Sequence, residues 1–349
     1  MRVIVIGATG NVGTSVTAAL AKAGEVEEIV AVARRAPGHA MPKTTFAAAD
    51  ITRDDLIPIL RGADAVVHLA WLIQPGRDER VTAAVNVDGS ERVFRAAVQA
   101  GVPAIVYASS VGAYSPGPKD RRVDERWPTD GIPTSFYSRH KAAVERSLDR
   151  VEHEHPNLRV VRLRPGLIFK AQAATEIRRL FLGPLLPTPL IRPRFIPVVP
   201  DTPRLRFQAV HSDDVGEAYA LAVLSDARGA FNVATEPVLD SAELGRILGA
   251  RPIKVPASVL RGAAAATYAA RLQPAEPGWV DMALSVPLMD CGRARSELDW
   301  RPIHDAAATL RELLAGLKAS ADHDTPPLAK RTSGPARVRE FLTGVGRRP

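Results

Sequence analysis

The sequence predicts an α/β protein built on a doubly wound parallel sheet with a smaller, mainly helical lobe, and three observations carry that expectation. Apolar, β-branched runs recur along the first half and alternate with segments of helical spacing. The first of these runs, at 3–6, leads straight into a glycine-rich turn that opens a helix. The runs are apolar at consecutive positions, as strands are when helices cover both faces of their sheet.

In chain order, 3–6 is the first strand and 12–20 the helix that follows it. Further strands are expected at 29–33, 46–49, 65–70, 104–108 and 158–163, with long helices at 80–100 and 135–154. The regularity breaks after Arg164. Seven prolines between Pro184 and Pro203 forbid a regular helix or a central strand, so that stretch reads as an extended loop. Strands at 205–210 and 230–233 flank a helix at 213–224, and 237–317 reads as short helices. The expected layout is a dinucleotide-binding domain at 1–165 to which 205–235 returns, a substrate lobe from 166–204 and 236–318, and a polar tail at 319–349 without a packed core.

Composition narrows the class. At 349 residues, with 46% hydrophobic and 24% charged residues, the chain buries ample core and is neither disordered nor fibrous. Its single cysteine, Cys291, offers no internal disulfide and no thiolate metal site, which fits a reducing compartment. The segment MRVIVIGATG begins directly in a strand pattern, and the apolar stretch at 263–270 is bracketed by Arg261 and Arg271. Neither resembles a leader or a membrane span, so a cytoplasmic location is expected. The net charge of +8 raises nucleic acid as a partner, but six of the basic residues lie in the tail. The rest alternate with acids and form no basic stripe interleaved with aromatics, so neither nucleic acid nor membrane is expected as a partner. His39, His153, His155, His304 and His323 have no partners at ligand spacing, and no metal is expected.

Gly7, Gly10 and Gly13 stand between the first strand and the first helix. Glycines there let the backbone approach a pyrophosphate, whose charge the helix N-terminus favours. A fold that prefers NAD usually places an acid after the second strand. Here that strand ends in Arg34 and Arg35, two guanidiniums where a 2′-phosphate would lie, which favours NADP with NAD as the alternative. Asp50 and Ile51 follow the third strand, where the adenine would approach. Tyr137 and Lys141 are four residues apart on one helix face, so the ammonium is expected to lower the phenol's pKa and to hold a ribose hydroxyl. Ser109 and Ser110 follow a buried-type strand whose carboxyl end opens on the same crevice. Arg178 and Arg179 suit either a clamp on an anionic substrate or a solvated helix face.

Together these residues resemble the extended short-chain dehydrogenase/reductases, the NAD(P)-dependent epimerase/dehydratase group with a Rossmann-type sheet. The ordered matches are the Gly7/Gly10/Gly13 turn, Asp50-Ile51, His68-Leu69-Ala70, Asn86-Val87-Asp88-Gly89-Ser90, Ser109-Ser110 with Tyr114, Tyr137 with Lys141, Arg164-Pro165-Gly166 and His211 to Val215. The resemblance implies Tyr137 as acid/base, Lys141 as its electrostatic and ribose partner, and Ser110 as the hydroxyl partner, with Ser109 the alternate. It implies cofactor contacts at Thr9, Asn11, Val12, Leu69 and Ala70 beside the glycines, and it gives Asn86 a supporting role in the loop architecture. Two departures stand out. Trp71 is bulky where the family commonly has a small residue. Val111-Gly112 follow the serine where the sugar-nucleotide 4,6-dehydratases carry an Asp-Glu pair, which argues against dehydration.

The expected activity is hydride transfer between NADP(H) and a secondary alcohol or ketone of a small molecule, as a sugar-nucleotide epimerase or a ketone reductase, with a homodimer the oligomer to test. The alternative is a catalytically silent NADP-binding regulatory protein.

Overall fold

The computed structural model describes residues 1–37, 40–74, 77–182 and 197–329. In chain order its strands are β1 (Arg2–Ile6), β2 (Glu28–Ala33), β3 (Thr44–Ala48), β4 (Ala65–His68), β5 (Ala104–Ala108), β6 (Arg122–Val123) and β7 (Arg159–Pro165). There follow β8 (Leu167–Phe169), β9 (Val198–Asp201), β10 (Phe207–His211), β11 (Gly229–Val233), β12 (Thr235–Leu239), β13 (Arg251–Lys254) and β14 (Leu288–Met289). The main sheet has the order β11-β7-β5-β4-β1-β2-β3, and every pairing in it is parallel.

Side-chain alternation explains the two covered faces. Val3 and Val5 join a core with Val16 and Leu20 of the helix Asn11–Lys22 and Val215, Tyr219 and Val223 of the helix Ser212–Leu224. Ile4 and Ile6 join the opposite core, with Val93 and Phe94 of Gly89–Gln99 and Val144 and Leu148 of Phe136–Glu154. Each of these fully buried aliphatic groups is worth about 1.5–3 kcal/mol. The chain winds outward from β1 to β3 and returns to β4, so the carboxyl ends of β1 and β4 diverge at a topological switch point, where such sheets bind ligands.

Several expectations need correcting. The strand expected at 205–210 is β10, which lies outside the main sheet and pairs with β8 and β12 in a second sheet, so of the two strands in 205–235 only β11 joins the main sheet, while the helix Ser212–Leu224 packs against it. The lobe is mainly helical, with short strands besides: β9 pairs with β13, and β14 pairs with β6. The helix expected over 80–100 is interrupted by a π-helical turn at Ala84–Asp88, where Asn86 turns its amide on Leu72, accepting from its N–H at 2.7 Å and donating to its carbonyl at 2.8 Å. The tail is packed as far as the structure describes it: Thr325 and Leu328 are buried, and the helix Ala306–Ala319 precedes them. Four of the seven prolines (Pro184, Pro187, Pro189 and Pro193), His39 and the basic residues from Lys330 onward lie outside the described residues.

Candidate active site

The crevice opens where Gly7 ends β1. Gly7 has φ +89°, and a Cβ there would stand 2.7 Å from the backbone nitrogen of Ala70, so only glycine lets the β1 and β4 loops meet. A Cβ at Gly13 would fall 2.3 Å from the Gly7 carbonyl, which makes Gly13 a packing glycine between helix and turn. Gly10 is different, because its Cβ position meets nothing nearer than the Gly7 carbonyl at 3.6 Å. It precedes the helix Asn11–Lys22 with no side chain capping the first turn, leaving a helix N-terminus directed at the crevice.

Gly7, Thr9 and Gly10 line this crevice with Leu69, Ala70 and Trp71. Arg34, Arg35, Asp50 and Ile51 line its other end. Asn11, Val12 and Gly13, expected among the cofactor contacts, do not line it. The Asn11 amide reaches the Ile168 carbonyl at 3.4 Å, and Val12 packs on the core. Arg34 and Arg35 are exposed. Burial pushes the Asp50 carboxyl up, but hydrogen bonds from the Thr52 hydroxyl at 2.7 Å and amide at 3.0 Å, with the nearby Arg34 and Arg53 charges, outweigh it and hold the group low.

Tyr137, Lys141 and Ser110 do not line this crevice and adjoin it through Trp71; the Ser135 hydroxyl caps the helix Phe136–Glu154, whose first turns present Tyr137 and Lys141 on one face. The Lys141 ammonium is buried, donates to the Ala108 carbonyl at 2.6 Å and sits 3.4 Å above the Trp71 ring. Burial drives its pKa well below the ordinary lysine value, with Glu145 pulling the other way. Tyr137 lies between two indoles, with ring centroids 5.7 Å from Trp71 and 4.9 Å from Trp279. Burial pushes its phenol up to about 12, opposed by a hydrogen bond with Ser110. The expectation that Lys141 lowers this phenol is therefore corrected: the ammonium is 5.8 Å from the ring centroid and donates to the Ala108 carbonyl, and desolvation is the largest influence on the phenol.

The two serines separate cleanly. Ser109 donates to the buried Glu145 carboxylate at 2.5 Å, whereas the Ser110 oxygen accepts from the Gly112 amide at 3.0 Å and meets Tyr137. Arg178 and Arg179 are buried, not on a solvated face, and Arg179 donates to the Pro327 carbonyl at 2.7 Å. Pro326 and Pro327 in turn line the crevice. Reading the sequence missed this contribution from the tail, which no local signal announces, and it missed Glu145, which the i, i+4, i+8 spacing of Tyr137, Lys141 and Glu145 could have shown. No group of three or more potential metal ligands occurs among the described residues, and no described helix is long and apolar enough to cross a membrane.

Known proteins share sequence and fold with this chain. The chain is 30% identical over 189 residues to a 3-beta-hydroxysteroid dehydrogenase of Mycolicibacterium neoaurum, covering 52% of this chain and 51% of that one. Over 321 residues it is 27% identical to a protein of Mycobacterium tuberculosis, covering 91% of this chain and only 30% of that longer relative. Among solved structures it superposes on the UDP-glucose 4-epimerase of Thermus thermophilus in complex with NAD, at TM-score 0.66 and 24% identity, covering 92% of this chain and 100% of the other. It also superposes on DesIV, a dTDP-glucose 4,6-dehydratase of Streptomyces venezuelae with NAD bound, at TM-score 0.68 and 21% identity over 91% of this chain and 97% of the other. At these identities both show the Rossmann fold. The sequence profile of the NAD dependent epimerase/dehydratase family matches residues 3–234, and the chain belongs to that family of extended short-chain dehydrogenase/reductase enzymes.

Proposed function

We propose that the protein transfers a hydride between NADP(H) and a small-molecule secondary alcohol or ketone. The observation that carries this reading is the Tyr137 phenol, hydrogen-bonded to Ser110 and held up to about 12, beside the buried Lys141. A phenol so placed is protonated at neutral pH and suited to give its proton to a carbonyl oxygen. A bound nicotinamide cofactor supplies or accepts the hydride at the substrate carbon. Ser110 donates a hydrogen bond to the same oxygen and fixes it against Tyr137. Lys141 offers a positive charge and a donor to a ribose hydroxyl once it leaves the Ala108 carbonyl.

The glycine turn and the uncapped helix start suit a pyrophosphate, and the arginines after β2 suit a 2′-phosphate. NADP is thus the preferred cofactor here, although the solved relatives were determined with NAD. Trp71 and Trp279 make the walls around the Tyr137 phenol aromatic, which favours a substrate with an apolar ring. The test is oxidation of NADPH and of NADH across a panel of cyclic ketones and nucleotide sugars. Turnover of a ketone supports the reading. Interconversion of a nucleotide sugar without net cofactor oxidation shows an epimerase instead, and cofactor binding without any turnover shows a regulatory protein.

A further inference from the structure

Beneath the serine loop lies a charged cluster that proton transfer does not itself use. Glu145, one helical turn beyond Lys141, is 2% exposed, and both of its carboxylate oxygens are engaged. Oε1 accepts from Ser109 and from Arg164 Nε at 2.8 Å, and Oε2 accepts from Arg164 Nη2 at 2.9 Å and pairs with Arg162 Nε at 3.2 Å. Arg164, itself buried at the end of β7, turns its remaining nitrogen on the other end of the same loop: Nη1 donates to the Tyr114 hydroxyl at 3.1 Å, which donates to Asn232 at 2.6 Å.

The loop from Ser109 to Tyr114 is therefore held at both ends by one ion pair. Between the two anchors lie Ser110 and Gly112. A Cβ at Gly112 would stand 2.9 Å from the Tyr137 ring, so loop and phenol are in contact and no slack separates them. A movement of the anchors becomes a movement of Ser110 against Tyr137. Stability alone explains the cluster poorly, because buried ion pairs are commonly replaced by apolar side chains at no loss of stability. We propose that Glu145, acting through Ser109 and Arg164, is a positioning residue that sets the Ser110 hydroxyl against the Tyr137 phenol. This rests on the hydride-transfer reading of the site.

The experiment compares Ser109→Ala, Glu145→Gln and the double variant, using the ketone that the wild type reduces and a fluorotyrosine placed at 137 as an NMR probe. Both single variants are expected to lower kcat about 10- to 100-fold, with KM and cofactor affinity within about twofold, since misplacement by an ångström costs that much in the chemical step. The fluorine resonance should shift in each. The double variant should be no worse than Glu145→Gln alone, because one clamp is being cut twice. A wild-type kcat or an unmoved resonance in Ser109→Ala overturns the proposal. That variant leaves the ion pair intact and decides the matter by itself if Glu145→Gln does not fold. If Tyr137→Phe, run in parallel, is as active as the wild type, another group moves the proton and the role given to Tyr137 in that reading fails, while the resonance still judges the clamp.

Discussion

The crevice and the Tyr137 cluster that adjoins it at Trp71 form a site whose two ends are built on opposite principles. At the Tyr137 end Lys141, Ser109 and Ser110 are buried and each has a partner: Lys141 has the Ala108 carbonyl and the Trp71 face, Ser109 has Glu145, and Ser110 has Gly112 and Tyr137. At the other end Arg34 and Arg35 are exposed at the close of β2, and Asp50 is engaged in its own turn with Thr52. Electrostatic interactions are strong where water is excluded and screened where it is not. One end is thus fixed by geometry and intolerant of change, and the other is adjustable, so that chemistry and cofactor choice can vary independently.

Substitution at the buried end should test this most severely. Tyr137→Phe keeps the ring between its indoles and deletes only the transferable proton, so turnover should fall about 10²- to 10⁴-fold with cofactor binding retained. Steady-state kinetics beside a cofactor titration measures both, and activity within tenfold of wild type would mean that another group moves the proton. The second test is pH. Burial holds Lys141 well below the ordinary lysine value, and the ammonium is the form that serves the site. Reduction should therefore fail as pH rises through a point well below the ~10.4 of a free lysine, while Tyr137, at about 12, is still protonated. Stability should move the other way. Above the folded pKa the unfolded lysine binds a proton that the folded one does not, so this group makes unfolding harder as pH rises up to ~10.4. An alkaline limb at or beyond ~10 in the pH-rate profile would show that the ammonium is hydrated in the working enzyme.

The same contrast decides what could be read from the sequence. The parallel sheet was legible because strands covered on both faces are apolar at every position, as Val3 to Ile6 are, and because Gly7 and Gly13 are demanded by backbone approach. The pair Tyr137 and Lys141 was legible from helical spacing. The direction of the phenol's shift was not, since it depends on burial by Trp71 and Trp279, which come from β4's loop and from the helix Gly278–Ser285. Nor was the path of Pro326 and Pro327 to the crevice, which rests on the Arg179 contact and the burial of Leu328, side chains distant in the chain.

At the exposed end the effect should be smaller. Replacing Arg34 and Arg35 by serine is expected to weaken NADP about 10- to 30-fold and to leave NAD within about twofold, the range for two solvent-screened donors to a phosphate. Isothermal titration with each cofactor measures it. If the unmodified protein binds NAD as tightly as NADP, the arginines are solvated and cofactor choice lies elsewhere.

The smallest expected effect is none: the protein should not dehydrate a nucleotide sugar, although the family includes enzymes that do. Losing water requires one group to protonate the departing hydroxyl and another to take the proton beside the new ketone, both within reach of the substrate. Val111 and Gly112, next to Ser110, can do neither. The acids that follow are committed elsewhere: Asp124 pairs with Arg126 on the surface, Asp120 is exposed, and Glu125 accepts from the Asn232 amide at 2.8 Å. Burial raises the Glu125 carboxyl against that hydrogen bond, but it lies on the β11 side of Arg164 rather than beside Tyr137; burial also raises Glu276, whose carboxylate accepts from the Phe136 backbone amide at 3.2 Å. Incubation with either cofactor and a panel of nucleotide hexoses, followed by mass spectrometry for a product lighter by one water, checks this. Formation of that product at catalytic rates, and its loss in Glu125→Gln, would show that the serine loop opens far enough to admit Glu125, and would break the distinction between a fixed end and an adjustable one.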